Sequence, residues 1–457
     1  MKEGIIMSFF KKKEQKPISF DKDPMNFREL NRTDDVRYSI PPTQIMVNDG
    51  VNICAEACAC CWDTKLPDGY EKRSEYITKR TKIGHGSVTE HSNHVFFLTI
   101  GDSEFEDLCN ILANCKYLNT CWKHSRISPV SYLIIGGSWR AYDDLIKRMS
   151  KPEMADNSIF RNLLGSIYKN INKAGLADVV EEGIIDDNFD NPVFDTIYSK
   201  VSHRKIGDLI EVINCDDLDK LIENLQYSCP ESDLFTPYDL LDFCTITVLF
   251  KNMSRIITQQ LTRHRNGITQ ESQRYVNYKD SGFNSPALFK DKYDPNYQYS
   301  IQFGRSSQKM TLQEIGVAIN SLYGQLIDEK RTNGHNLQLE DARGYLANNT
   351  QCGKIYMTFT WRTFFKFLEL REDLHAQVEI RNYAKALGAW FRELYPEYSN
   401  VYDALIPKSI NNTKWCNSIG TYTNVDEVNE VLSEEEIIQK MEDQIAYEAK
   451  SEDNNND

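Results

Sequence analysis

The sequence predicts a protein of mixed helix and sheet, and three observations carry that prediction. Short blocks rich in β-branched and aromatic residues, His94–Ile100 and Thr245–Phe250, read as strands. Elsewhere apolar residues recur at helical spacing, as at Met253, Ile256, Ile257 and Leu261. The 457 residues, 40% apolar and 26% charged, suffice for one large core or two to three ordinary ones.

The elements follow in order. Residues 1–35 are polar and charged and are expected to form a flexible arm. The stretch 36–100 is ordered: a helix over 51–62 with small residues Ala55, Ala57 and Ala59, then a dense polar motif over 83–91, then the strand His94–Ile100. From 101 to 243, acidic helices such as Glu104–Leu112 and Asp216–Gln226 alternate with turn-rich sequence. That stretch is expected to be a mainly helical insertion. Within it, Gly136-Gly137-Ser138-Trp139-Arg140 follows the apolar Tyr132–Ile135 and reads as a tight strand-to-helix turn. Order resumes over 244–410 with the strand Thr245–Phe250 and a helix to Arg265. Gly267 breaks that helix, and Gln273–Tyr278 alternates as a strand would. Residues 279–309 read as a loop. Helices are expected over 311–331, 339–347, 362–371 and 375–394, with a strand over 354–361. Residues 411–457 form an acidic C-terminal extension.

Composition narrows the function. A net charge of -14 argues against broad nucleic-acid binding, which needs basic surface. No run approaches the length of a membrane span. The apolar patch Ile5–Phe10 precedes its lysines, the reverse of a signal peptide, so a cytoplasmic protein is expected. Met7 offers an alternative start. Twelve scattered cysteines suit reduced, buried thiols. Cys58 and Cys61 make a CxxC pair, but no second pair follows at zinc-ribbon spacing, so no metal is expected.

Chemistry concentrates in three places. Arg263-His264-Arg265 and Gln270-Glu271-Ser272-Gln273-Arg274-Tyr275 lie together in an acidic chain. Arginine forks match phosphate and carboxylate geometry. A nucleic-acid patch or a solvated face is the alternative, but Glu271, Asp280 and the scarcity of lysine favour a pocket for a phosphorylated small molecule. Four of the eight histidines, His85, His91, His264 and His375, sit in dense polar motifs without metal spacing, so hydrogen-bonding roles are expected. The third place is the elbow Leu370–Arg381, where Arg371 also suits the ordinary role of a cation at a helix C-terminus. There is no GxxxxGK[ST], GxGxxG or GxSxG motif.

Taken together, these motifs resemble the flavin-dependent thymidylate synthases. The matching residues are Gly84-His85-Gly86-Ser87 with Glu90-His91; then Ser254-Arg255, Gln260, Arg263-His264-Arg265 and Glu271–Tyr275; then Arg343, Thr360–Arg371 and His375–Arg381. The resemblance implies that family's α/β (α+β) fold, a mixed sheet flanked by helices, assembled as a homotetramer with shared active sites. It implies reductive methylation of dUMP to dTMP, with 5,10-methylenetetrahydrofolate as carbon donor, NAD(P)H (NADPH or NADH) as reductant, FAD as cofactor and no cysteine nucleophile. Gln260, Arg263, Glu271, Ser272, Gln273, Arg274, Arg343 and Arg371 would hold dUMP, with Arg371 facing the uracil as the catalytic residue. His91, Arg263, His264, Arg265, Gln270, Thr360, Lys366, His375 and Gln377 would line the FAD site. Three departures stand out. The turn Asn266–Glu271 is one residue shorter than the family pattern. Thr360 and Lys366 stand where asparagines are usual. The stretch 101–243 has almost no counterpart in compact members.

Overall fold

The computed structural model describes residues 40–115, 117–149, 199–264, 267–282, 294–328, 337–351, 353–373 and 375–398. The arm 1–35, the centre of the expected insertion, Arg265 and the extension 411–457 lie outside them.

The chain begins with β1 (Ile40–Val47), α1 (Gly50–Trp62) and α2 (Tyr70–Lys82). A 3-10 turn, Gly86–His91, carries the first polar motif into β2 (His94–Gly101) and α3 (Asp102–Leu112). Next come β3 (Asn119–His124), β4 (Val130–Gly137) and α4 (Trp139–Met149), then β5 (Arg204–Ile206), β6 (Ile210–Cys215) and α5 (Leu218–Ser228). The last part holds β7 (Thr245–Lys251), α6 (Arg255–Leu261), β8 (Gly267–Gln270), a hairpin of β9 (Tyr299–Phe303) and β10 (Ser306–Met310), α7 (Leu312–Asp328), β11 (Lys354–Thr360), α8 (Trp361–Glu372) and α9 (Val378–Leu394).

Two larger sheets result, ordered β1-β2-β4-β3 and β5-β6-β7-β11-β8. The expected α/β class holds. Within both sheets every strand pairing is antiparallel, rather than mixed in direction. Alternation along β2 sorts its side chains to opposite faces. Val95 and Phe97 join the core shared with β7, β11, α8 and α9. Phe96, Leu98 and Ile100 pack with α1, α3 and α4. β2 is therefore buried along its whole length, which is why its sequence is continuously apolar.

The stretch 101–243 contributes strands as well as helices. Among its described residues, helices α3, α4 and α5 are joined by strands that enter the sheets: β3 and β4 complete the first sheet, and β5 and β6 extend the second. The Tyr132–Ile135 run can bury both faces only by entering a sheet between two apolar layers. Gln273–Tyr278 is not a strand. The strand is Gly267–Gln270, paired with Thr358–Ile355 of β11, and the chain then turns, with Tyr275 N donating to the Ser272 carbonyl. Residues 299–310, expected within a loop, form the β9–β10 hairpin. Among the described residues no helix is long and apolar enough to cross a membrane.

Candidate active site

Strand β11 and helix α8 are the frame. Thr360 caps α8, its hydroxyl accepting from Thr363 N at 3.2 Å. The buried Trp361, Phe364, Phe365, Phe367 and Leu368 fix the helix against β7, β11 and α9. Another side of α8 carries Thr360, Thr363, Lys366 and Arg371, at helical spacing.

At the end of α8 the second and third motifs meet. Arg371 donates from Nε to His264 Nε2 at 3.0 Å and from Nη1 to Gln260 Oε1 at 3.4 Å. Gln260 Nε2 donates to Gln377 Oε1 at 2.7 Å. His264 packs edge-on against Phe367, with ring centroids 5.2 Å apart. Burial, then the charges of Arg371 and Lys366, lower the His264 pKa to about 4. The ring is thus neutral at pH 7, and its bare Nε2 can accept from Arg371. Burial and the nearby Arg263 hold the Arg371 pKa below its usual value. Lys366 is half-buried and paired with Glu369 at 2.8 Å.

A second arm stabilises this junction. Glu379 at the start of α9 is 6% exposed. Its carboxylate accepts from Ser254 N at 2.8 Å and from Ser254 Oγ at 2.7 Å. Ser254 is the N-cap of α6 and makes no side-chain cap of its own, so Glu379 caps that helix from a neighbouring element.

The residues expected to hold dUMP divide. Arg274 and Arg343 are exposed and converge on Glu340: Arg274 Nε meets its carboxylate at 2.7 Å and Arg343 Nε its carbonyl at 3.0 Å. Ser272 Oγ accepts from Arg274 N at 3.2 Å, and Ser272 N donates to the Cys61 carbonyl at 3.0 Å. Tyr275 stacks on Trp62 at 5.9 Å, and Trp62 meets His85 edge-on at 4.5 Å, which joins the first motif to the second. Glu271 points inward. It is 5% exposed and accepts from Tyr278 Oη at 3.0 Å, so burial raises its pKa. Gln273 is also buried. Neither side chain presents itself to a ligand; both hold the loop from within.

His91 corrects another expectation. It is fully buried, with Nδ1 and Nε2 bonded to the hydroxyls of Thr358 at 2.9 Å and Thr269 at 2.8 Å. It ties the first motif to β8 and β11 and does not line an open site. His375 is exposed and bonded to Asp373 at 3.1 Å, away from the Arg371 network in hydrogen-bond terms. Gln270 ends β8, and its buried Nε2 has no partner among the described residues. Arg263 is exposed on the 3-10 turn after α6. Gly267 begins β8 where a Cβ would stand 2.6 Å from the Glu90 carbonyl oxygen. In the shortened turn, glycine serves close backbone approach rather than a left-handed conformation.

The cysteines are poor nucleophiles. Burial pushes the Cys58 thiol to about 12 and the Cys61 thiol to about 11. Among the described residues no group of three or more His, Cys, Asp or Glu side chains is arranged to hold a metal. Sequence reading missed Glu379, Glu340, Thr269 and Thr358. Glu379 had a usable signal, an acid two residues beyond Gln377 at the head of an apolar helix. The others gain their partners only through packing.

Residues 220–397 match the family model described as thymidylate synthase complementing protein. The flavin-dependent thymidylate synthase of Corynebacterium glutamicum is 30% identical over 147 residues, 32% of this chain and 56% of that protein. That of Mycolicibacterium gilvum is 28% identical over 149 residues, 32% of this chain and 57% of that protein. The chain thus spans little more than half the length of these curated relatives. A crystal structure of the Helicobacter pylori flavin-dependent thymidylate synthase with FAD and dUMP covers 40% of this chain and 84% of its own at 19% identity, with a TM-score of 0.26, too slight a likeness to bear on fold or function. The segment that matches is the one that holds α6, β8, β11, α8 and α9.

Proposed function

We propose that the chain is itself a flavin-dependent thymidylate synthase, converting dUMP to dTMP with 5,10-methylenetetrahydrofolate as carbon donor, NAD(P)H as reductant and FAD as cofactor. The observation that carries this reading is the junction of Gln260, His264, Arg371 and Gln377, within the family-matched segment. It holds one guanidinium in a fixed orientation while leaving further N–H donors for a ligand.

The residues fit a flavin nucleotide. Gln270 Nε2 is a buried donor without a protein partner among the described residues, and Arg263, His264 and Lys366 gather beside α8. When bound, FAD supplies the hydride chemistry, and the protein supplies position and charge. In this reading Arg371 faces the uracil and stabilises negative charge on its N3/O4 side. Neutral His264 and Gln260 orient the guanidinium. Ser272, Arg274 and Arg343 receive the phosphate, in competition with Glu340. Glu271 and Gln273 shape the loop from inside. His91 sets β8 against β11, and Thr360, Lys366 and Gln377 serve the flavin side. A cytoplasmic homotetramer with shared sites is part of the proposal. The exposed Tyr275, Tyr345 and Leu370, next in sequence to named site residues or two positions away, offer surface for a partner subunit.

Purified protein should show flavin absorbance, and its NADPH oxidation should accelerate when dUMP is added. Arg371→Ala should abolish dTMP formation while keeping the flavin spectrum. A colourless protein indifferent to dUMP overturns the proposal.

A further inference from the structure

The end of α1 lies outside the segment that matches the family model, yet the loop after β8 is fastened to it. Ser272 N donates to the Cys61 carbonyl at 3.0 Å. Asp63 closes α1 with φ 48°, in the left-handed region. It shares Lys354 of β11 with Glu271: the Lys354 Nζ lies 3.7 Å from the Asp63 carboxylate and 3.9 Å from that of Glu271. Trp62 stands between these two ties in the chain.

Trp62 is the middle of a run of stacked side chains. On α2, Tyr76 and Arg80 are one turn apart and share a face. The Arg80 guanidinium lies over the Trp62 ring, 4.6 Å from its centroid, and 5.5 Å from the centroid of Tyr76. The Tyr275 ring stacks on Trp62, with centroids 5.9 Å apart and planes inclined by 21°. The Arg274 guanidinium in turn lies over Tyr275, 5.6 Å from its centroid. Arg80, Trp62, Tyr275 and Arg274 therefore alternate as cation, ring, ring and cation, and each neighbouring pair attracts. His85 packs edge-on against Trp62 and fixes that ring from a third element.

The run ends on a side chain that needs support. Arg274 is exposed, and its Nε is bonded to the Glu340 carboxylate at 2.7 Å. A phosphate that displaces Glu340 must order a long side chain at the expense of its rotamer freedom. The Tyr275 ring is a contact that stays when the ion pair is broken. We propose that Trp62 and Arg80 are positioning residues for substrate binding: they hold the Tyr275 ring, and through it the Arg274 guanidinium, in the orientation that receives the phosphate of dUMP. This rests on the thymidylate synthase reading and adds to it two residues from α1 and α2.

The test measures dUMP affinity by calorimetry and steady-state kinetics on the flavin-loaded full chain, with circular dichroism as the check on folding. Trp62→Ala should raise the Kd and KM for dUMP about tenfold and leave kcat within about twofold. Trp62→Phe keeps a ring for Tyr275 and should stay within about threefold of wild type. Arg80→Gln, on the far end of the run, should raise the Kd about threefold. Because Trp62 acts through Arg274, the double variant Trp62→Ala, Arg274→Ala should bind dUMP no more weakly than Arg274→Ala alone. Losses that add in the double variant, a Phe variant as weak as Ala, or a fall in kcat at unchanged KM each overturn the positioning role of Trp62 while the thymidylate synthase reading stands. An unchanged Kd in Arg80→Gln overturns the part given to Arg80. A wild-type chain that does not bind dUMP overturns that reading and the proposal together.

Discussion

Truncating Glu379 to alanine should uncouple α9 from α6. Its carboxylate accepts two hydrogen bonds from one residue, at 2.8 Å from Ser254 N and 2.7 Å from Ser254 Oγ, in a site 6% exposed. A hydrogen bond to a charged acceptor contributes about 1.5–3 kcal/mol, and a buried donor left unpaired costs about 1–3 kcal/mol. The two bonds share one carboxylate and do not simply add. Glu379→Ala should therefore lower unfolding free energy by about 3–5 kcal/mol. Glu379→Gln keeps an acceptor for Ser254 N, and its amide can donate to Ser254 Oγ, so about 1–2 kcal/mol is expected. The measurement is urea unfolding followed by fluorescence of the chain's six tryptophans. The same substitutions report on the site, because α6 leads directly into Arg263 and His264. The Ala variant should bind dUMP more weakly, and the Gln variant should recover most of the affinity. An Ala variant within about 1 kcal/mol of wild type, or a Gln variant as damaged as Ala, refutes the coupling.

Other expectations follow from the same geometry. His94 is buried with its pKa lowered to about 3, below its ordinary 6.5, so the unfolded chain takes up the proton first. Its contribution to stability is complete above about pH 6.5 and is lost as pH falls toward 3, by up to about 1.4 kcal/mol per pH unit. His94→Phe removes that titration, and parallel pH–stability curves for wild type and variant would show the reasoning wrong. Gly267→Ala places a Cβ 2.6 Å from the Glu90 carbonyl oxygen and should cost about 1–3 kcal/mol in denaturant unfolding; an unchanged midpoint would contradict it. Glu340→Gln frees Arg274 from its ion pair and should tighten dUMP binding, measured by calorimetry, whereas weaker binding would mean that Glu340 positions the arginine rather than competes for it.

The fold was legible where the local signal was strong. The runs around β2, β7 and β11, and the helices α1, α8 and α9, follow from composition and period alone. The strands β3, β5 and β6 were missed because acidic helices dominate the stretch around them, whereas β4 was signalled by the apolar Tyr132–Ile135 before its glycine turn. The motif residues were legible as chemistry but not as partners. Gln260, His264, Arg371 and Gln377 meet at the end of α8, whereas His91, Glu271 and Gln273 turn into the interior. A sequence gives residue type at a position; it does not give the direction of a side chain after a turn.

The sequence by itself determined which side chains are available, in three motifs whose order and residue types carry the family resemblance. The tertiary structure decided which of them face one another. Arg371 reaches Gln260 and His264 across more than a hundred residues of chain, and Glu379 reaches Ser254 across 125. Such contacts depend on how β7, β11, α8 and α9 pack, and no local periodicity encodes them. The same packing brings Arg140 to Glu90, and so turns a glycine-rich strand end into the wall of a cavity.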